Sequence, residues 1–224
     1  MPHALRIIPI VSRPFEEVSY IVHLPGRSDC LVVDPGLEPE LILERLEQEE
    51  LTPAMILNTH GHGDHIGGNA ALKAAYPEAP LVIGEGDVPM LTDPAKNLGS
   101  MAGVRLTSPP ADQTVREGDT ISAAGINLKI LEIPGHTPGH VVFVCSESAP
   151  PTVFGGDVLF AGGIGRFDLP GGNGPQLLTG IRNKLFALSD DTVVYPGHGP
   201  ATTIGEERRT NPFVGEAAGY FGLR

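Results

Sequence analysis

The stretch NTHGHGDHIGGNAALKAAYP, residues 58–77, places three histidines and one aspartate within the six positions from His60 to His65. Imidazole and carboxylate groups suit divalent zinc, iron or manganese, and this stretch contains no cysteine for a thiolate-rich structural zinc site. A polar loop with chance histidines is the alternative. The chain has only eight histidines, so three of them in this cluster favour a metal site.

The residues on either side of the cluster predict its structural setting. AMILNTH before it is typical of a strand, and IGGNAALKAAYP after it predicts a helix that ends at Pro77. If the cluster itself is extended, side chains two positions apart share a face. His60, His62 and Asp64 would then converge on one point and His65 would face another, so that one loop could contribute to two metal positions.

Four ligands cannot fill two coordination spheres, so a two-metal site needs further ligands downstream. Three polar residues follow an apolar β run and a glycine, in EIPGHTPGH, TVFGGDVLF and TVVYPGHG: they are His136, Asp157 and His198. Glycine leaves room there for a side chain to face a cleft. Taken singly, each would fit a surface or core position. Taken with the cluster, they complete a set of seven nitrogen and oxygen ligands.

The rest of the chain alternates short apolar runs with Gly and Pro turns. LRIIPIV, VSYIVHL and CLVVDPG predict strands, and residues 38–50 predict an amphipathic helix. The second half predicts three β-rich segments from residue 118 to residue 160, a helix near 176–188 and a final strand before His198. Two strand-rich halves with helices and no linker predict two packed sheets with helices outside, built as a single domain over residues 1–224.

Composition limits the function. The net charge of −12 and the absence of a Lys/Arg-rich run argue against a nucleic-acid partner and against attachment to an anionic membrane. The N-terminus has neither a signal-peptide pattern nor an apolar span of membrane length, so we expect a cytoplasmic protein. Cys30 and Cys145 are too few for a disulfide scaffold, and neither has the setting of a catalytic nucleophile. Homo-oligomer formation is left open.

The motifs THGHGDH, PGHT, GD before an apolar pair, and PGHG, in that order, resemble those of the metallo-β-lactamase fold superfamily. The resemblance covers nearly the whole chain and implies an α/β fold, an αββα four-layer sandwich with two mixed sheets and outer helices. It also implies two metal sites. The first would be formed by His60, His62 and His136, and the second by Asp64, His65 and His198. The carboxylate of Asp157 would bridge the two metals. Asp34, in VVDPG, matches an aspartate that this family places beside the metals, where it orients ligands; a turn or capping aspartate is the alternative.

Within the superfamily, GGIGRFDLPGG and the ending PGHGPATTIGEERRTNPF resemble the short bacterial proteins grouped with hydroxyacylglutathione hydrolase, or glyoxalase II. We expect no helical C-terminal glutathione-binding domain, because too few residues follow His198. Arg166 could hold a substrate carboxylate. An ion pair with Asp168 that braces the loop is the alternative.

The resemblance implies a hydrolase of a thioester such as S-lactoylglutathione, which would use a metal-bound hydroxide, with Asp64 holding or accepting a proton. Two divalent ions are the expected cofactors, zinc first, with iron or manganese as alternatives. The expected partner is a small substrate derived from a thiol. The alternative function is a mononuclear iron persulfide dioxygenase acting on glutathione persulfide, which would use the counterparts of His60, His136 and Asp157. Another hydrolase on the same scaffold, such as a lactonase or β-lactamase, and a non-catalytic metal-binding protein remain further alternatives.

Overall fold

The first of two large sheets is built mainly from the N-terminal half of the chain. The structure, a computed structural model, describes residues 4–100 and 105–219. Six strands form this sheet, in the spatial order β1 (Arg6–Ser12), β2 (Glu17–His23), β3 (Asp29–Val33), β4 (Thr52–Asn58), β5 (Leu81–Gly84) and β6 (Gln113–Val115). The pairs among β1, β2 and β3 are antiparallel, and the pairs from β3 to β6 are parallel.

The second sheet is built from the C-terminal half. Its six strands lie in the spatial order β7 (Thr120–Ala123), β8 (Ile126–Glu132), β9 (Val141–Cys145), β10 (Thr152–Gly156), β13 (Val193–Pro196) and β14 (Thr202–Thr203). Only the pair of β10 with β13 is parallel. A small hairpin, β11 (Leu159–Phe160) with β12 (Gly163–Ile164), follows β10.

The helices are short. They are α1 (Pro39–Gln48), α2 (Gly63–Ile66), α3 (Asn69–Ala75), α4 (Val88–Thr92), α5 (Gly174–Gly180) and α6 (Ile204–Thr210). A π-helical segment, Ile181–Leu185, continues α5, and 3-10 turns occupy Glu85–Asp87 and Glu216–Ala218. Among the described residues, no helix has both the length and the apolar character needed to cross a bilayer.

Apolar side chains from both sheets form the central core, and the outer faces of the sheets are covered by helices. Leu57 of β4 belongs to the same cluster as Phe143 of β9, which shows that the two sheets pack face to face. Leu46 of α1 packs on the other side of the first sheet, and Leu177 of α5 on the other side of the second. The predicted αββα sandwich of two mixed sheets is therefore confirmed. The predicted single domain over residues 1–224, which extends into segments outside this description, stays a prediction.

The main error in the predicted elements concerns the helix after the ligand cluster. The sequence predicts one helix over residues 66–77, whereas the structure has α2 and α3 separated at Gly67 and Gly68. The Gly68 N–H donates to the Pro35 carbonyl at 2.8 Å and so leaves the helical ladder. A Cβ atom at Gly68 would lie 2.8 Å from the backbone carbonyl oxygen of Gly36, so glycine allows this close approach without a shift of the backbone. The predicted helix over 38–50 corresponds to α1.

Backbone hydrogen bonds tie the two sheets together at the end where the candidate ligands lie. The Val141 N–H of β9 donates to the Thr59 carbonyl at 2.9 Å, just after β4. The Val18 N–H of β2 donates to the Gly197 carbonyl at 2.8 Å, just after β13. The loops that follow β4 and β13 are thereby held against the opposite sheet, and their side chains face one another.

Candidate metal centre

Three histidines form a buried group, which we call the histidine group: His60, His62 and His136. One ring nitrogen from each lies within 4.8 Å of the other two. His62 Nδ1 lies 3.1 Å from His60 Nε2 and 2.9 Å from His136 Nε2. Burial, followed by the neighbouring His65, holds the pKa of His60 well below its usual value, and burial lowers the pKa of His62 to about 3. Both rings are therefore neutral, and neutral imidazole is the form that binds metals.

Asp64, His65 and His198 form a second group, which we call the mixed group. Asp64 Oδ2 lies 3.8 Å from His65 Nε2 and 3.4 Å from His198 Nε2. Burial alone would lower the pKa of His65, but the carboxylates of Asp157, Asp64 and Asp34 raise it well above its usual value. The negative potential that favours a proton at this point also favours a metal cation.

Asp157 lies between the two groups. Its Oδ1 is 3.4 Å from His65 Nε2, while its Oδ2 is 3.5 Å from His136 Nε2 and 3.6 Å from His198 Nε2. One carboxylate therefore faces ligands of both groups. The structure thus brings together all seven residues that the sequence predicts as metal ligands.

Two buried atoms provide a test of whether a divalent cation fits these residues. His65 Nε2 and Asp157 Oδ1 are buried and have no hydrogen-bond partner within the described chain. A buried polar atom without a partner is destabilising by about 1–3 kcal/mol, and ligation to a cation would remove that penalty. A metal ion bound between the mixed group and Asp157 would contact both atoms, so the residues fit the cofactor that the sequence predicts.

The second ring nitrogen of three histidines is already fixed by a neighbouring oxygen. His136 Nδ1 donates to the Arg166 carbonyl at 2.7 Å, and His198 Nδ1 donates to the Phe15 carbonyl at 3.0 Å. His65 Nδ1 donates to Asp34 Oδ2 at 3.1 Å. A nitrogen that donates carries the proton, so in each ring Nε2 is the nitrogen left to face the centre of the site and to bind a cation.

Asp34 holds both His65 and the start of the ligand loop. Its Oδ1 accepts the Thr59 N–H at 2.7 Å, and its Oδ2 accepts the Thr59 hydroxyl at 2.6 Å in addition to His65. Because the single hydroxyl hydrogen of Thr59 is donated to Asp34, its oxygen accepts from His60 Nδ1 at 3.1 Å. Although Asp34 also lies close enough to His60 and His65 to form a ligand group, these hydrogen bonds occupy its oxygens. Asp34 therefore lies where the sequence predicts a residue that orients the metal ligands.

The predicted extended geometry of the ligand loop is wrong beyond His62. Because α2 begins at Gly63, Asp64 does not lie on the same face as His60 and His62. Asp64 instead lies beside His65 and His198, in the mixed group. The two ligand sets that the family resemblance implies contain the same residues as the histidine group and the mixed group.

Asp87 is a residue that the sequence reasoning missed. This fully buried carboxylate accepts from the Gly61 N–H at 3.0 Å, the Thr137 hydroxyl at 2.6 Å and the Gly139 N–H at 2.6 Å. Burial raises its pKa despite these three donors. We call this arrangement the Asp87 bracket; it joins the loop of His60 and His62 to the loop of His136. Its only sequence signal was an aspartate just after a strand, in LVIGEGD.

His140 lies below the histidine group and outside the predicted ligand set. Its ring stacks on His60 with centroids 4.8 Å apart, and its Nε2 accepts the Asp157 backbone N–H at 3.0 Å. It therefore helps to position Asp157. Its sequence signal was its place four residues after His136, in HTPGH.

The guanidinium of Arg166 forms a two-point ion pair with Asp168, at 3.0 and 2.9 Å. This pair is exposed, so it contributes little to stability. The carbonyl of Arg166 holds His136, as described above. The predicted contact of the guanidinium with substrate stays a prediction.

A cavity of about 660 Å³ lies over the site. His62, Asp64, His136, Asp157 and His198 line it together with apolar side chains from several loops. The candidate ligands are thus accessible to a small molecule although most of them are buried.

The chain is similar to known proteins in both sequence and structure. The family described as the Metallo-beta-lactamase superfamily matches residues 13–198. The hydroxyacylglutathione hydrolase GloC of Haemophilus influenzae is 36% identical over 213 residues, which cover 94% of this chain and 97% of that protein.

Two solved structures share the fold and part of the sequence. The BLEG-1 B3 metallo-beta-lactamase has a TM-score of 0.87 and 35% identity, over 94% of this chain and 99% of that one. TTHA1623 in a di-iron-bound form has a TM-score of 0.80 and 38% identity, over 92% of this chain and 99% of that one.

Proposed function

The chain belongs to the metallo-beta-lactamase superfamily, and from this premise we propose that it is a binuclear metal-dependent hydrolase that acts on a thioester. The observation that carries the proposal is the position of Asp157 between the histidine group and the mixed group, since a shared carboxylate is what a pair of cations needs. The first cation would be held by His60, His62 and His136, and the second by Asp64, His65 and His198.

The donor set consists of imidazole nitrogens and carboxylate oxygens, which suits zinc, iron or manganese. We propose zinc as the first expectation. The di-iron form of TTHA1623 supports iron as an alternative on a related chain. The two thiols are excluded as ligands because Cys30 and Cys145 are buried in strands of the sandwich core and belong to none of the described ligand groups.

A pair of bound cations would lower the pKa of a coordinated water and polarise a substrate carbonyl. The residues of the chain do the rest. Asp64 Oδ2 is an ionised acceptor: burial would raise its pKa, but His65 and His198 lower it well below the usual range. It can therefore accept a hydrogen bond from a water molecule and orient it.

Hydrolysis breaks the bond between the acyl carbon and sulfur, transfers the water oxygen to the acyl carbon, and releases a thiol and a carboxylic acid. No protein nucleophile is required. Cys30 is fully buried, and burial raises the pKa of its thiol to about 12, so it is not an alternative nucleophile. The similarity to GloC, named a hydroxyacylglutathione hydrolase, supports S-lactoylglutathione as the first substrate to test.

The experiment measures metal content and turnover together. Protein stripped of metal is titrated with zinc, the bound metal is counted by elemental analysis, and thiol release from S-lactoylglutathione is followed. We expect two equivalents of zinc per chain and thioester hydrolysis that depends on the second equivalent. A β-lactam, chosen because of the similarity to BLEG-1, serves as a control substrate with a strained cyclic amide in place of the thioester and should react more slowly. If the protein as isolated contains one iron per chain and takes up oxygen with glutathione persulfide, but hydrolyses no thioester, it is the dioxygenase instead.

A further inference from the structure

Apolar side chains line much of the cavity over the candidate metal centre. Six of them, which we call the apolar wall, are Phe15, Leu98, Leu106, Phe160, Ile164 and Leu169. The same cavity is lined by Asp64, Asp157 and His198. A molecule that reaches the metal ligands is therefore in contact with the apolar wall as well.

Part of this wall is held in place by a buried polar residue. The side-chain nitrogen of Asn97 donates to the carbonyls of Met90 and Leu106, both at 3.0 Å, and its Oδ1 accepts the Gly99 N–H at 2.9 Å. The Asn97 carbonyl accepts the N–H of Gly63 at 2.8 Å, at the start of α2. Leu98 and Leu106 are thus fixed relative to the helix that carries Asp64 and His65.

Leu98 has a backbone conformation that leucine rarely adopts. Its φ angle is +66°, in the left-handed region where a bulky residue is an outlier. Such conformations persist where the surrounding structure over-determines them, and they are enriched at ligand sites. The hydrogen bonds of Asn97 provide that constraint, and the result is an apolar side chain in the cavity wall next to the metal ligands.

The charges in the cavity do not match a thiol that carries carboxylates. Among the described lining residues, Arg166 is the one Lys or Arg side chain, and its guanidinium is already joined to Asp168. The acidic lining residues, Asp64 and Asp157, belong to the candidate metal centre. A peptide thiol such as glutathione bears two carboxylates, for which this cavity provides no free cation among those residues.

We propose that the cavity selects a thioester carrying an uncharged apolar chain, in preference to a thioester of an anionic peptide thiol. This inference rests on the proposed thioester hydrolysis and narrows its substrate class. The apolar chain would lie along the apolar wall while the thioester carbonyl faces the metal ligands. Burial of each additional methylene would then strengthen binding.

The test uses thioethers, which bind without being hydrolysed. Zinc-loaded protein is titrated by calorimetry with N-acetylcysteamine thioethers that carry a methyl or an octyl chain, and with the octyl thioether of glutathione. We expect the neutral octyl probe to bind at least about thirtyfold tighter than the methyl probe, and at least as tightly as the glutathione probe. Equal binding of the methyl and octyl probes, or tighter binding of the glutathione probe than of the neutral octyl probe, would overturn the proposal.

Two variants locate the effect in the apolar wall. Leu98→Asn removes apolar surface and keeps the backbone, because Asn tolerates the left-handed region, and Leu106→Ala shortens a second wall residue. Each should lower the affinity for the octyl probe at least about fivefold and leave the affinity for the methyl probe unchanged. Phe213→Ala is the control, since Phe213 is an exposed phenylalanine that does not line the cavity. If both wall variants bind the octyl probe as wild type does, the proposal is wrong.

Hydrolysis of acetyl and octanoyl thioesters of N-acetylcysteamine separates this inference from the proposed function. If no thioester of either thiol is hydrolysed, the proposed function fails, and the thioether titrations still decide whether the cavity prefers an apolar chain. If thioesters are hydrolysed with the same kcat/KM for acetyl and octanoyl, the proposed function holds and the inference fails.

Discussion

The histidine group and the mixed group lie side by side but differ in burial and in support. His60, His62 and His136 are at most 3% exposed, and the Asp87 bracket joins the two loops that carry them. In the mixed group, the side chains of Asp64 and His198 are 21% and 28% exposed. His198 is held by the carbonyl of Phe15, which belongs to an exposed turn.

This difference indicates two levels of preorganisation within one centre. The histidine group presents neutral rings in an enclosed and hydrogen-bonded frame, so a cation would bind there with little rearrangement. The mixed group includes a charged carboxylate at the cavity, and one of its ligands depends on a surface loop. We therefore expect the first cation to be bound more tightly than the second, and the second to be the one in contact with solvent and substrate.

The largest effect is expected from removal of the carboxylate that lies between the two groups. Asp157→Ala deletes the carboxylate that faces both, so bound metal should fall below two equivalents and thioester hydrolysis should fall by at least about a thousandfold. Far-UV circular dichroism should be unchanged, because the Asp157 side chain faces the histidines of the candidate metal centre and is not a member of the hydrophobic core clusters. Two retained equivalents with undiminished turnover would contradict the bridging role.

An intermediate effect is expected from the Asp87 bracket, because it supports the histidine group alone. Asp87→Ala leaves three donors without their acceptor, which should destabilise the fold by about 1–3 kcal/mol. It should also lower the affinity for the first cation by about 10–100-fold. Thermal unfolding and competition with a chelator measure these two quantities separately. Asp87→Asn is the matched control: it keeps one acceptor oxygen and should recover part of the lost metal affinity.

If Asp87→Ala lowers the unfolding temperature but leaves the affinity for the first cation unchanged, the bracket stabilises the fold without positioning the ligands. If the second cation is weakened more than the first, the proposed separation between the groups is wrong.

Much of the sandwich could be predicted because its strands are short apolar runs bounded by Gly, Pro and Asp, and a buried strand leaves that pattern in any sequence. An element that was missed is β6, which has three residues and pairs with β5, where Val82 lies opposite Gln113. Such elements are defined by pairing partners distant in sequence, so they have little local signal. The break between α2 and α3 is similar, since the carbonyl of Pro35 causes it from 33 positions away.

The candidate ligands could be predicted because histidine is rare in this chain and clusters strongly. Their grouping could not be derived from local geometry, since α2 begins inside the cluster at Gly63 and turns Asp64 away from the face of His60. The residues that hold the ligands were harder to find. Asp87 lies 26 positions from Gly61 and 52 from Gly139, so only the folded chain shows that one carboxylate joins the two loops.

The smallest effect is expected from the exposed turn that supports the mixed group. Glu38 accepts the Arg13 backbone N–H at 2.7 Å and pairs with its guanidinium, and this anchors the turn whose Phe15 carbonyl holds His198. Glu38→Ala should leave stability nearly unchanged, because the pair is at the surface. It should lower the affinity for the second cation by about twofold to fivefold, because the His198 ring is less constrained, and leave the affinity for the first cation unchanged. The measurement is chelator competition in zinc-loaded protein, with Glu16→Ala, in the same turn, as the control for a change of surface charge. A matching loss in both variants would assign the effect to charge rather than to the position of His198.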